Sequence, residues 1–354
     1  MWGGIENHIK ALAEAQAAAG HEVTVLVTNP GREPGQARLN GVEVIRAGRL
    51  ATVASTPLSL SLPLWLRRQS PDITHLQFPY PLAEISQLLA GRGRPFVISY
   101  QSDVVKQQRL LRLYEPLLRR VLASANRILA SSPQYIASSA YLRPLADKCT
   151  VVPLAIDPQP FLSATPLFPP AAQPTLLFVG RHRYYKGVDD LIRAMRNVRA
   201  RLLIAGDGPM RPAWEALARQ LKLEARVRFM GDVASVDLPG LYAAADVFVL
   251  PSNSRAEAFG IVLLEAMAAG LPCITTELST GTSYVVEDGV TGFVVPPRSP
   301  GELARAINRL LADSELRRAL GEAGQRRVLR EFTVEKMTVR IEAVYQEVLA
   351  FADR

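Results

Sequence analysis

Cysteine is scarce: Cys149 and Cys273 are the only two in 354 residues, and both lie in apolar, strand-like runs. A disulfide framework is therefore not indicated, and two buried structural thiols in a reducing, cytoplasmic setting are expected. Histidine is nearly as rare. His8, His21, His75 and His182 show no metal-ligand spacing, so no metal is expected. No run approaches the ~18 apolar residues of a membrane span, and the N-terminus has no apolar signal-peptide core. No Gly-x-Gly-x-x-Gly sits between a strand and a helix with an acid about 20 residues on, which argues against a dinucleotide-dependent dehydrogenase. Basic residues are not interleaved with aromatics in the manner of a nucleic-acid binder, so no nucleic-acid partner is expected.

What remains is a globular composition, 48% hydrophobic and 21% charged, with length enough for two domains. The formal charge is +8, and residues 1–165 carry 17 Lys+Arg against 11 Asp+Glu, so +6 of it lies in the first half. Such an excess attracts phosphorylated substrates or anionic lipid. Strand-like and helix-like runs alternate from end to end, which predicts α/β architecture with parallel sheets. Strands are predicted at 23–28, 42–46, 72–77, 96–100, 127–130 and 149–153, and again at 175–180, 201–205, 227–230, 246–250 and 272–275. From Pro300 onward the chain reads as helix. Six prolines between 154 and 174 read as a linker. The predicted domains are therefore 1–158 and 175–332, joined by 159–174, with the ligand in a cleft at the strand C-termini. Gly3-Gly4 opens the first helix with no strand before it, so the first strand of the first sheet is expected to be missing.

The chemistry concentrates in 251–270. A strand ends at Pro251, a polar loop carries Glu257, and a helix opens at Phe259-Gly260 with Glu265 inside it. The unpaired amides near Gly260, Ile261 and Val262 suit an anion. Two acids astride such a site can grip hydroxyls on either side of a diphosphate, as a sugar nucleotide requires. The plainer reading makes Glu257 a helix cap and Glu265 a solvated carboxylate. After the strand at 175–180, Gly180-Arg181 and Lys186-Gly187 lie on one loop. Two cations there can neutralise a departing diphosphate, or form a solvated basic loop. Gly206-Asp207-Gly208-Pro209 and Phe229-Met230-Gly231-Asp232 are strand-to-helix turns, the second a resting place for a nucleotide base. The helix at 104–124 mixes Lys106, Arg109, Arg112, Arg119 and Arg120 with leucines, as either a membrane-surface helix or a domain helix with a solvated basic face would.

Together, Gly3-Gly4-Ile5-Glu6, Gly180-Arg181 with Lys186-Gly187, Gly206-Asp207-Gly208-Pro209, Glu257 with Glu265, and 288–297 resemble the GT-B glycosyltransferases of retaining family 4. The resemblance spans nearly the whole chain. Residues 103–148 and 279–284 look similar to the bacterial mannosyl- and rhamnosyltransferase members. The resemblance implies two Rossmann-like domains facing across a cleft, with a helix at 333–354 returning to the first. It implies that Arg181 and Lys186 hold the donor diphosphate, Glu257 the hexose hydroxyls and Glu265 the ribose. The backbone at Phe259, Gly260, Ile261 and Val262 would meet hexose or phosphate, with Gly3 and Gly4 against the phosphate and Met230 near the base. It also implies metal-independent front-face transfer of a hexose, with mannose from GDP-mannose as the expected donor. The expected acceptor is a saccharide, polyprenyl-diphosphate-linked, at the inner face of the cytoplasmic membrane. The family typically has a His where this chain has Gln101. A carboxamide binds a hydroxyl but carries no proton, so a catalytically impaired nucleotide-sugar-binding homologue is the alternative.

Overall fold

The structure, a computed structural model, describes residues 4–53, 56–104, 108–169 and 171–352. The chain divides into two compact units: Ile5–Pro153 with the residues from Val334 on, and Leu154–Thr333.

The first unit runs α1 (Gly4–Ala18), β1 (Thr24–Thr28), β2 (Gly35–Leu39), β3 (Val42–Ala47), β4 (Ala51–Val53), β5 (Thr56–Leu58) and α2 (Leu62–Arg68). It continues through β6 (Thr74–Phe78), α3 (Pro81–Ala90), β7 (Phe96–Tyr100), α4 (Gln108–Ser124), β8 (Arg127–Ala130), α5 (Pro133–Ser138) and β9 (Cys149–Val151). All five residues of β7 are buried, as an unbroken apolar run in a parallel sheet should be. Proline at the first turn starts α3 and α5, and the Ser132 hydroxyl accepts from the Tyr135 amide at the head of α5. Strands β6-β7-β8-β9 form one parallel sheet, and β1-β3-β2 form a mixed one in which β1 runs parallel and β2 antiparallel to β3. The β2–β3 hairpin turns on Asn40-Gly41, both at positive φ (49° and 86°), which the sequence reading missed. Among the described residues β1 pairs only with β3 and β6 only with β7, so the parallel series is interrupted between β1 and β6.

Among its described side chains, helix α4 buries apolar residues of its C-terminal half. Leu118, Val121 and Leu122 are buried in the unit's core, while Arg119 and Arg120 face outward. Over that half α4 is a domain helix with a solvated basic face; Lys106 lies outside the described residues. Helix α14 (Val334–Ala352) closes the unit. Its Tyr345 hydroxyl lies 2.6 Å from His75 Nδ1, whose other ring nitrogen lies 2.8 Å from Ser99 Oγ, and its Glu347 pairs with Arg127.

The second unit holds α6 (Gln159–Leu162), β10 (Thr175–Val179), α7 (Val188–Ala194), β11 (Arg201–Ala205), α8 (Arg211–Gln220), β12 (Val227–Gly231) and α9 (Leu238–Ala243). It continues through β13 (Val247–Leu250), α10 (Ile261–Ala268), β14 (Cys273–Thr276), α11 (Thr282–Val285), β15 (Gly292–Val295), α12 (Pro300–Ala312) and α13 (Ser314–Glu331). Its six strands form one parallel sheet in the order β12-β11-β10-β13-β14-β15. The order reverses at β10 and β13, which pair through Leu176–Val247 and Leu177–Phe248. The stretch 154–174 belongs to this unit and is not a free linker. Leu154 and Ile156 are buried, Phe161 and Phe168 pack on the core, and the Leu167 amide donates to Gly240 O at 2.7 Å. Prolines stiffen this segment, but the apolar residues between them require cover.

His8 on α1 is buried, and neither ring nitrogen has a hydrogen-bond partner among the described residues. Burial lowers His8 to about 4 and, with a smaller contribution from His8, lowers His75 to about 3. Both are neutral when folded, so unfolding takes up protons below the ordinary pKa of about 6.5. Their contribution is complete above that value and is lost as pH falls toward 4 and 3. Each costs about 1.4 kcal/mol per pH unit across its window. We expect His8→Leu to flatten the acid limb, gaining about 2 kcal/mol on wild type between pH 6.5 and 4.5. Denaturant titrations over that range check this; parallel wild-type and variant curves would contradict it.

Candidate active site

In an open parallel sheet, ligands bind outside the strand C-termini where the order reverses. In the second unit that point lies between the loop after β10 and the loop after β13. The first loop runs Gly180-Arg181-His182 to Lys186-Gly187. Gly187 has φ +63°, and a Cβ there would stand 2.0 Å from Pro251 O, so only glycine lets the two loops touch. The Asn253 amide also donates to Tyr185 O at 2.8 Å. Gly206 packs as tightly, since its Cβ would stand 2.2 Å from Gly180 O. Three strand-end loops are thereby fixed backbone to backbone.

This contact brings together two of the sequence-predicted residues. Lys186 Nζ lies 2.5 Å from Glu257 Oε2, and both side chains are about 10% exposed. Ser252 Oγ donates to the same carboxylate oxygen at 3.0 Å. The Glu257 carbonyl accepts from Thr280 Oγ1 at 2.9 Å, and its amide donates to Ser254 O at 3.0 Å. Burial alone would lower the Lys186 ammonium, but the Glu257 carboxylate outweighs it and leaves Lys186 above its ordinary value. The ammonium is therefore held charged, within reach of solvent at one edge.

Helix α10 begins beside them. Gly260 stands at φ +82° as its N-cap, leaving the Ile261 and Val262 amides at the first turn without intrahelical acceptors. The Phe259 side chain is buried against Phe332, so this residue can offer a ligand only its backbone. Glu265 receives a 2.6 Å hydrogen bond from the buried Tyr242 hydroxyl. Burial raises its pKa, and the Tyr242 bond partly opposes this. Glu265 is thus no solvated helix carboxylate. Met230 is half-buried near the end of β12, where Gly231 O accepts from the Gly206 amide at 2.7 Å. Arg181 is exposed on its loop. His182, beside it, is buried 4.8 Å from the Trp214 ring, with neither ring nitrogen partnered among the described residues.

Gln101 and Gly4 lie toward the other end of the chain. Gly4 opens α1; Gly3 lies outside the described residues. Gln101 is buried at the C-terminal end of β7, and its Nε2 donates to Gln77 Oε1 at 3.0 Å. Two residues on, Asp103 Oδ1 accepts from Tyr100 OH and Ser139 Oγ, both at 2.8 Å, and fixes the loop. Sequence reasoning missed Ser252, Tyr242, Thr280 and Gln77. Gln77 and Ser252 stood where a strand-end signal could have singled them out. Among the described residues no three His, Cys, Asp or Glu side chains gather as a metal site would require.

Residues 2–160 match the family described as Glycosyltransferase Family 4, and residues 166–327 match Glycosyl transferases group 1. The chain is 34% identical to O-antigen chain mannosyltransferase C of Escherichia coli, over 95% of this chain and 92% of that one. The chain belongs to the group 1, family 4 glycosyltransferases. D-rhamnosyltransferase WbpZ of Pseudomonas aeruginosa is 35% identical over 94% of this chain and 88% of its own. Among solved structures, sucrose-phosphate synthase from Thermosynechococcus elongatus superposes with a TM-score of 0.83 at 26% identity, covering 98% of this chain and 94% of that chain. Anabaena HepE in complex with UDP reaches 0.75 at 21% identity, covering 98% and 96%, which speaks to fold alone. The fold of this glycosyltransferase is GT-B, with two Rossmann-like domains.

The ion pair is testable in itself. Removing one member of a buried pair strands the other charge, at about 3–5 kcal/mol. We expect Lys186→Met and Glu257→Leu each to cost that much in the chemical unfolding of this unit, and the double variant to cost clearly less than the sum. A strictly additive double-mutant cycle would show that the pair is not coupled.

Proposed function

We propose that this glycosyltransferase moves a hexose from a nucleotide-diphosphate donor onto a saccharide acceptor, using the switch point of the second unit as its donor site. The carrying observation is the buried Lys186–Glu257 pair set beside the open amides of α10. The diphosphate would lie along the Ile261 and Val262 amides, with Arg181 and Lys186 supplying positive charge as the leaving group departs. Glu257 would hold hexose hydroxyls while Lys186 and Ser252 fix its carboxylate. Glu265, oriented by Tyr242, would grip the ribose. Met230 would line the base pocket. Such fixed charges act on the departing diphosphate without a metal or a covalent enzyme intermediate, in keeping with retaining transfer from the front face.

The donor reading is GDP-mannose, and the acceptor reading is a growing bacterial surface polysaccharide carried on a polyprenyl diphosphate at the cytoplasmic membrane. The relative named as an O-antigen mannosyltransferase supports the first; the one named as a D-rhamnosyltransferase keeps another deoxy- or hexosyl donor in contention. The second reading, an impaired binding homologue, rests on Gln101, whose carboxamide is engaged with Gln77 and carries no proton.

A thermal-shift series with GDP, UDP and ADP tests the donor. At a hundredfold excess over Kd the bound nucleotide should stabilise the protein by about 2.7 kcal/mol. A shift with GDP alone supports the mannosyl donor, and one with UDP alone overturns it. In transfer assays Glu257→Gln should lower kcat about a hundredfold or more. Gln101→His separates the two readings: a large rate gain marks an impaired enzyme, and no gain marks a carboxamide suited to its task.

A further inference from the structure

Of the ten tyrosines, all among the described residues, only Tyr184 is exposed, at 44%. It stands on the loop after β10, two residues before Lys186. The local fold explains its direction. Tyr184–Lys186 is a single turn of 3-10 helix, in which successive side chains point about 120° apart. Gly187 at φ +63° ends the turn, and the Tyr185 carbonyl accepts from the Asn253 amide at 2.8 Å, which pins the turn to the loop after β13. Lys186 is thereby turned inward to Glu257, Tyr185 is half-buried, and Tyr184 faces solvent.

A single exposed aromatic is ordinary on a protein surface. The company of this one is not. The Tyr184 and Tyr185 rings meet edge-on, with 5.5 Å between centres and 86° between planes. Lys186 Nζ lies 5.5 Å from the Tyr185 ring centre, so Tyr184 stands at most 11 Å from the ammonium of the buried ion pair. That is a reach which a short oligosaccharide spans. Arg181 and Arg183 are exposed on the same loop. The pinned turn and the edge contact leave the Tyr184 ring little freedom to lose when a ligand settles on it.

An aromatic ring rimmed by guanidinium donors has a definite chemical complement. One side of a hexopyranose is a patch of C–H groups, and its edge carries hydroxyls. The C–H patch meets the electron-rich face of the ring, and the hydroxyl oxygens accept from the guanidinium. A nucleobase also stacks on aromatic rings. The base and ribose of the donor, however, are read at Met230 on β12 and Glu265 on α10, and β12 lies two strands away from β10 in the sheet. The position of Tyr184 therefore favours a saccharide.

We propose that Tyr184, steadied by Tyr185 and rimmed by Arg183, is a stacking platform for a hexopyranose unit of the acceptor chain, beyond the unit that receives the transferred sugar. The proposal rests on the reading that the acceptor is a growing saccharide, and adds where one of its inner units is held. Saturation-transfer NMR on the full chain tests binding without a donor, with α-linked tetrasaccharides of mannose, glucose and galactose as probes. With wild type, at least one probe should receive saturation at its ring C–H protons, and the matching monosaccharide should receive little. Tyr184→Ala should weaken that probe's binding about tenfold, and Tyr184→Phe should keep it because the ring is kept. In transfer assays Tyr184→Ala should raise the KM of the tetrasaccharide by a similar factor, leave kcat and the donor KM unchanged, and erase the preference for longer over shorter acceptors.

An unchanged melting temperature certifies the variants as folded, and Tyr184→Gln supplies a second variant without a ring. Three results would overturn the proposal. The first is a wild type that binds none of the tetrasaccharides. The second is binding of equal strength in the variants that lack the ring. The third is a nucleotide thermal shift that Tyr184→Ala abolishes, which would give the ring to the donor's base. Saccharide binding that depends on Tyr184 while no nucleotide sugar supports transfer would sink the functional reading and leave the saccharide platform standing.

Discussion

A buried ammonium against a buried carboxylate is the constraint on which the second unit depends. Lys186 and Glu257 come from loops 71 residues apart, and their meeting requires that the loops after β10 and β13 touch. That contact requires a glycine at 187, because any side chain there would collide with the Pro251 carbonyl. The reversal of strand order makes the two loops neighbours, and the parallel sheet places both at the same edge. Ser252 and Thr280 then anchor the acid's carboxylate and backbone, so its position is set before any ligand arrives. Preorganisation of this kind lets a fixed charge act on a departing group without reorganising as it leaves.

The two ends of the chain solve different problems. In the second unit, Lys186, Glu257, Ser252 and Thr280 at the strand ends satisfy one another, and the first-turn amides of α10 lack intrahelical acceptors. In the first unit, Asp103 gathers the hydroxyls of Tyr100 and Ser139, and the loop it holds presents a carboxamide pair. Gln77 and Gln101 together offer one remaining donor group and one remaining acceptor group, a pattern matched to hydroxyls rather than to a travelling proton.

Much of this was legible in the sequence where burial is continuous. The strands Arg127–Ala130 and Arg201–Ala205 begin and end where apolar periodicity places them, since fully buried parallel strands leave unbroken runs. Short edge strands were not read: β4 and β5 have three residues each, and β15 lies in a Gly-Phe-Val-Val run lacking period-two contrast. The β2–β3 hairpin was missed although Asn40-Gly41 announces it, because Gly35–Leu39 is half polar. The prolines of 154–174 were weighed above the leucines and phenylalanines between them, and packing reversed that judgement. Individual site residues were legible by type and loop position. Their partners were not, because Lys186 with Glu257, and Tyr242 with Glu265, are related by the fold and by no local spacing.

The first unit is discontinuous in the chain, and this orders its assembly in time. Its core is left unfinished at Pro153 and waits through the whole of Leu154–Thr333 for α14 to bring Tyr345 to His75 and Glu347 to Arg127. During synthesis the later-made unit can therefore complete its sheet before the earlier-made one closes. The half that emerges first from the ribosome is the half that finishes last. In the interval its open face depends on whatever shields nascent chains.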